Sequence, residues 1–387
     1  MKLIGGRLIL SYCSNSISSS SRGGGVLNFR NGNHLCIIQR IAASIFTDRG
    51  GSNENLIPKE KDDDILKDSD AAEKREDFVS SMPVYAKLKD DDILISKALT
   101  SVKSKKNQKS GNKILLEGSR LIADAIKYGA IPEMVFFSRK EDIAKIRWPE
   151  ENFEMYKVGY RILQKWSSLT SSPGVIGIFK KPNITAREGD NKIMPLQIIC
   201  DNIRDPGNLG SILRVAAGVG CRQVVLTKGC VELWEPKVLR SGAGAHFILP
   251  VHSDRTWDKI PTEFLNEYST VVLADNSSEV VNMEAESTMT RYDIPIEKYL
   301  MVDYSGAWDD GSDVVLVLGG ETAGLSADAC ELAYSRGGVR LNIPLCYGIE
   351  SLNASTALGI IAFEIRRQFD EWLRRNESLP SKSSSEI

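Results

Sequence analysis

Metal chemistry has little to draw on in this chain. The seven cysteines (Cys13, Cys36, Cys200, Cys221, Cys230, Cys330 and Cys346) make no Cys-x-x-Cys and no zinc-ligand spacing. The three histidines, His34, His246 and His252, cannot complete a cluster without cysteines far away in sequence. A zinc-ribbon or zinc-finger protein is thereby excluded, and the expectation is a reduced compartment with no metal. Cys200 and Cys346 sit inside apolar runs and read as small core residues. Long apolar runs are missing too: none approaches the length that spans a bilayer, so no membrane span is expected. Nor is there an excess of charge of one sign. The formal net charge of -2 says nothing about partners, and local charge has to be read instead.

What is present is ample apolar material, 42% of 387 residues, enough for two domains with tails. Residues 1–49 are rich in serine and carry Lys2, Arg7, Arg22, Arg30, Arg40 and Arg49 against only Asp48. That composition is expected of a mitochondrial targeting segment, with a secretory signal or a plain polar tail as competing readings. Residues 50–83 turn acidic, with Asp62, Asp63 and Asp64, and hold few large apolar side chains, as a disordered linker does. A second basic run, Lys97, Lys103, Lys105, Lys106, Lys109 and Lys113, contains no acid.

A smaller αβ domain is expected over 84–181, with strands at Lys113–Glu117, Met134–Phe137 and Val175–Phe179. The helix Ser119–Lys127 places Leu121, Ile122, Ala125 and Ile126 on one face. Polar residues 182–192, with Gly189, read as a hinge. From 193 to 374 the pattern is α/β, with strands at Leu196–Cys200, Gln223–Leu226, His246–Val251, Thr270–Ala274, Val314–Leu318 and Val339–Ile343. A long helix is expected from about Leu352 to Arg374. These strands are continuous apolar runs, so both sheet faces are covered and the sheet is mostly parallel. Residues 276–312 lack periodicity and read as a surface insertion; 375–387 read as a disordered polar tail.

Three polar segments interrupt this apolar background, each directly after a strand, where an α/β fold places its ligand loops. In the first, Asn202-Ile-Arg-Asp-Pro-Gly-Asn-Leu-Gly-Ser-Ile-Leu-Arg214, Asn208 can cap a helix that carries Arg214 nearly two turns on. An arginine there is a structural ion-pair partner or a charge held for phosphate or carboxylate. The second, Leu318-Gly-Gly-Glu-Thr-Ala-Gly-Leu-Ser326, has adjacent glycines, Gly319 and Gly320, which admit a close backbone approach. Ser326 can cap a following helix. Without Lys-Ser/Thr after a glycine it is not a P-loop, and by itself it is equally an ordinary strand-to-helix turn. The third runs from Ile343-Pro344 to Ser351-Leu-Asn353-Ala-Ser355; Ser351 is a good N-cap, and Asn353 and Ser355 fall in the first turn of the long helix.

In this order the three segments resemble the signature motifs of the SpoU (TrmH-type) RNA 2'-O-ribose methyltransferases of the SPOUT superfamily. The resemblance implies an α/β fold: a trefoil-knotted, mostly parallel methyltransferase domain at 193–374, preceded by an L30e-like RNA-binding domain at 84–181. It implies S-adenosyl-L-methionine bent into the knot and a site completed in a homodimer. Arg214 would be catalytic, with Asn208, Glu321, Ser351 and Asn353 around the reaction centre. Its proton role stays open, because arginine normally titrates far above neutrality. Gly319, Gly320, Ile343 and Leu352 would hold the cofactor. Arg204–Gly210, Leu226–Val231, Trp234–Arg240, Gly244–Phe247 and Lys113–Asp124 look especially like family members acting on a guanosine of mitochondrial large-subunit rRNA in the matrix. Arg120, Lys237 and Arg240 would touch that RNA. The same chemistry on tRNA, or a non-catalytic RNA-binding assembly factor, are the alternatives.

Overall fold

The computed structural model describes residues 83–377 apart from 90–91, 105–110, 151, 185–192, 277–280, 286–287, 310 and 322–323; for 281–292 only the backbone is described. The targeting segment expected at 1–49, the basic residues Lys105, Lys106 and Lys109, and most of the linker, hinge and tail lie outside these residues. All described residues belong to one compact unit, Asp77–Ile387.

The first elements are β1 (Ala86–Lys87), α1 (Ile93–Lys103), β2 (Lys113–Glu117), α2 (Ser119–Lys127), β3 (Pro132–Phe137), β4 (Glu154–Lys157), α3 (Tyr160–Trp166) and β5 (Val175–Lys180). Their strands form a mixed sheet in the order β1-β4-β3-β5-β2. Alternation along β2 decides how it is covered: Ile114 and Leu116 pack with Ile122 and Ala125 of α2, while Leu115 packs on the other face with Leu99 of α1 and Leu163 of α3. The α1 helix was not expected. Ile95, Leu99 and Val102 recur on one face of it, and Asp92 caps it by accepting from the Leu94 amide at 2.9 Å.

The second part runs β6 (Met194–Asp201), α4 (Pro206–Val219), β7 (Cys221–Thr227), α5 (Pro236–Gly242), β8 (Val251–Arg255), α6 (Ile260–Phe264) and β9 (Thr270–Ala274). It continues with the hairpin β10 (Val281–Ala285) and β11 (Thr288–Tyr292), then β12 (Ile296–Lys298), α7 (Ser305–Asp309), β13 (Val314–Gly319), α8 (Ala327–Ser335), β14 (Val339–Asn342) and α9 (Ala354–Glu377). Seven strands pair throughout in parallel, in the order β12-β14-β9-β13-β6-β7-β8. On β13, Val314, Leu316 and Leu318 face the core shared with α4 and α9, and Val315 and Val317 face the core under α8. Burial on both faces explains the unbroken apolar runs.

Chain order fixes the position of the crevice. From β6 the chain builds outward through β7 and β8, then returns to the far side of β13 for β9. At such a reversal the loops beyond the strand carboxyl ends part and leave room for a ligand. Leu318 aligns with Cys200 of β6 and with Ala274 of β9, so three strands end at one level there.

Two expectations need correcting. His246–Val251 is not a strand: Ala245–Phe247 is a single 3-10 turn after Gly244 at positive φ, and β8 begins only after Pro250. Pro250 lacks the amide that a ladder needs. Residues 276–312 are not wholly an insertion, since β12 pairs with β14 and extends the sheet. Among the described residues no helix is long and apolar enough to cross a membrane.

Candidate functional site

The first motif is organised by Asp205 rather than by Asn208. The Asp205 carboxylate accepts from the Asn208 amide at 2.8 Å and is the N-cap of α4, with Pro206 in the first helical position. Freed from capping, the Asn208 side chain turns outward across the strand ends. Its Nδ2 donates to Glu321 Oε1 of the second motif. Asn353 of the third motif donates from Nδ2 to Asn208 Oδ1 at 2.8 Å and to Glu321 Oε1 at 3.2 Å. Three loops, the first more than a hundred residues before the other two, therefore meet in one hydrogen-bonded triangle.

Counting donors and acceptors separates the roles inside that triangle. Asn353 Oδ1 accepts from the amide and the hydroxyl of Ser355, at 3.0 and 2.7 Å. Both its N–H groups and both its lone pairs are then engaged, so Asn353 organises the site. It also caps α9, whose first residue is Ala354; Ser351 lies outside the helix and is not its cap. Asn208 keeps one N–H unused among the described residues, and Glu321 keeps its second oxygen. These groups, with the exposed hydroxyl of Ser351, are what the centre presents outward.

Beside the triangle lies a cavity of about 230 Å³ over the carboxyl ends of β9, β13 and β14. Leu318, Leu341, Ile343, Leu345, Leu352 and Ile361 give it an apolar floor, and Asn276, Glu321 and Ser351 a polar rim. Gly319 and Gly320 line it as expected, but the close approach they permit is to the chain itself. A Cβ on Gly319 would stand 2.5 Å from the Gly324 carbonyl carbon, and one on Gly320 would stand 2.6 Å from the Asn202 carbonyl oxygen. Beneath, Asp201 is buried and accepts from the Ser326 amide at 2.6 Å, holding α8 to β6; Ser326 caps α8 as anticipated.

Sequence reasoning missed the residues that secure the third motif. Asn276 Oδ1 accepts from Asn342 Nδ2 at 3.0 Å and from the Ile343 amide at 3.1 Å, and its Nδ2 donates to the Glu350 carbonyl at 3.0 Å. Arg340 is buried at 2% exposure and pairs with Asp275 at 2.8 Å under the same loop. A polar residue just after β9, beside the reversal of strand order, was the available signal for Asn276.

Arg214 is not in the triangle. It lies on the exposed side of α4, and no hydrogen bond or ion pair engages it among the described residues. Six residues of helix separate it from Asn208, about 9 Å along the axis and about 120° round it. Beside it Ile212, Leu213 and Ala216 are buried, and Val215 only partly. Lys237 reaches Asp205 at 3.4 Å, and Arg240 donates to Ser168 Oγ of the smaller sheet's module at 2.8 Å. Leu239 of α5 and Phe247 join that module's core. Arg120 is exposed on α2.

His246 is buried at 2% exposure; Nε2 donates to the Leu233 carbonyl at 3.1 Å, and Nδ1 has no partner. Burial pushes its pKa down to about 4. The unfolded chain takes up this proton near pH 6.5, the folded protein only near 4, so stability held above 6.5 is lost as pH falls through that window. At pH 5 the loss is on the order of 2 kcal/mol, and urea unfolding of His246→Gln at pH 7.5 and pH 5 is expected to lack that increment.

Comparison with known proteins gives the family. Residues 195–363 match the SpoU rRNA Methylase family, and residues 95–177 match the MRM3-like substrate binding domain. The mouse protein "rRNA methyltransferase 3, mitochondrial" is 40% identical over 313 residues, covering 73% of this chain and 74% of the mouse chain. The chain belongs to the SpoU rRNA methylase family. Its human relative of the same name is 38% identical, at 73% and 74% coverage. An AdoMet-bound rRNA methyltransferase from Sinorhizobium meliloti has the same fold, with TM-score 0.55 and 24% identity over 73% of this chain and 97% of that one. Asn208, Glu321 and Asn353 all lie within the matched residues 195–363.

Proposed function

We propose that the protein transfers a methyl group from S-adenosyl-L-methionine to the 2'-oxygen of a guanosine ribose in mitochondrial large-subunit rRNA, within the mitochondrial matrix. The observation that carries this reading is the triangle beside an apolar-floored cavity. The named mitochondrial rRNA methyltransferases of mouse and human support the choice of substrate and compartment. The cavity fits the cofactor by its chemistry: Leu345, Leu352 and Ile361 offer apolar walls to an adenine, while Asn276, Glu321 and Ser351 offer polar groups to a ribose and amino-acid moiety. Bound there, the cofactor supplies an electrophilic methyl group.

The remaining work falls to the chain. Asn353 fixes Asn208 and Glu321, and Asn208 offers its free N–H to the target ribose. Arg214 would orient the ribose hydroxyl, whose proton would pass to solvent as the 2'-oxygen takes the methyl group and the S–C bond pair stays on the donor's sulfur. Pointing away from Asn208 on α4, Arg214 serves this purpose best across a homodimer, each copy lending it to its partner's triangle. The trefoil knot and the L30e-like character of the first module belong to the same proposal. Incubation of the purified protein with labelled S-adenosyl-L-methionine and mitochondrial large-subunit rRNA transcript tests the reading, with ribose-methylation mapping of the product. Label in tRNA but not rRNA, or in neither, would refute it.

A further inference from the structure

Arg204 differs from most of the other arginines held in place in this fold. Arg139, Arg222, Arg255, Arg340, Arg366 and Arg367 are each paired with a carboxylate. Arg204 instead donates its Nε to a neutral acceptor, the Asn202 side-chain oxygen, at 3.1 Å. Its two terminal nitrogens engage nothing among the described residues, and the side chain is exposed. The neighbouring carboxylate, Asp205, is already occupied by the Asn208 amide and Lys237. The guanidinium is therefore aimed but not neutralised, the state that suits a fork onto an anion.

The aiming device is built with care. Asn202 sits in the left-handed region at φ 57°, which asparagine tolerates better than other residues with a side chain. Its amide donates to Thr227 Oγ1 at 2.9 Å, and Thr227 is buried. Its carbonyl packs on Gly320, and its side-chain oxygen lies where a Cβ on Gly229 would come within 2.7 Å. The next residue is stapled as well: the Ile203 amide meets Cys230 Sγ at 3.3 Å, and the Val231 amide donates to the Ile203 carbonyl at 2.9 Å. The loop from Thr227 to Val231 thus fixes the backbone turn that directs Arg204.

We propose that Arg204 clamps a phosphodiester of the RNA strand next to the target ribose, with Asn202 and Thr227 as its positioning residues. Arg204 does not line the cofactor cavity, so the anion it awaits lies outside that cavity. The proposal rests on the reading of RNA as substrate.

The test is binding of the full chain to rRNA transcript between about 50 and about 200 mM KCl. Arg204→Ala is expected to weaken RNA binding roughly tenfold and to flatten the slope of log affinity against log salt by about 0.7 to 0.9, the loss of one phosphate contact. Affinity for S-adenosyl-L-methionine, measured by calorimetry, should not move. Asn202→Asp keeps the size and backbone preference of Asn202 but places a carboxylate on Arg204, and it should reproduce Arg204→Ala. Thr227→Val should follow both, and Thr227→Ser should restore binding. An unchanged salt slope in Arg204→Ala, or a loss confined to the cofactor, overturns the proposal. Wild-type methyl transfer in the same preparation separates the two readings: transfer with an unchanged Arg204→Ala slope sinks this inference alone, and absent transfer sinks the function.

Discussion

Alanine in place of Arg214 is expected to slow methyl transfer by about a thousandfold while leaving cofactor affinity unchanged, because a positioned group acting on the reacting proton is worth that much. Arg214 touches neither the cavity nor the triangle within its own chain, so calorimetry with S-adenosyl-L-methionine should not register its loss. Arg214→Lys keeps the charge but not the fork, and should recover less than about a tenth of the activity. The geometry of α4 permits a sharper test. On the proposed homodimer, the Arg214→Ala and Asn353→Ala proteins are each expected to be inactive. Unfolded together, refolded as a mixture and assayed, they should regain about a quarter of wild-type activity, since half the dimers are mixed and each mixed dimer carries one intact shared site. Activity that stays at background in the mixture would place Arg214 and Asn353 in the same chain's site and remove the shared-site proposal.

The borders of several elements were written plainly in the chain. Lys113–Glu117, Ser119–Lys127 and Thr270–Ala274 lie where apolar runs and a helical stripe put them, because each is packed on both faces or on one continuous face. The loops of the site were legible for the complementary reason: glycine, asparagine and acid directly after an apolar strand have no core to join. The caps were not. Asn208 and Ser351 are good capping residues, yet Asp205 and Asn353 took the positions. Pro206 was the overlooked signal at the first, since proline favours the first helical position and so names the residue before it as the cap. The same signal stood at Pro236, where it marks the start of α5. Pairing over distance left no local trace. Arg340 in a strand looks like a surface charge until Asp275, sixty-five residues earlier, arrives beside it. The short β12 carries three exposed residues and joins the sheet only because β14 offers an edge.

Glu321→Ala is expected to cost about a hundredfold in turnover and to weaken cofactor binding as well, a combination that sets it apart from Arg214→Ala. One oxygen of Glu321 accepts from both Asn208 and Asn353. Deleting it removes the shared carboxylate acceptor of both side-chain amides, which then turn to water. Asn353 would keep its cap on α9 through Ser355, so the helix and the fold should survive. What would be lost is the fixed direction of Asn208, and with it the alignment of the target ribose. Glu321 also lines the cavity, which is why the cofactor should feel the change. Glu321→Gln retains one oxygen to accept the two amides and is expected to lie between alanine and wild type. Single-turnover transfer and calorimetry on the two variants measure both effects. Glu321→Ala turning over at the wild-type rate would mean that the triangle is only a brace between loops, and Asn208 would then have to be directed at the ribose by some other contact.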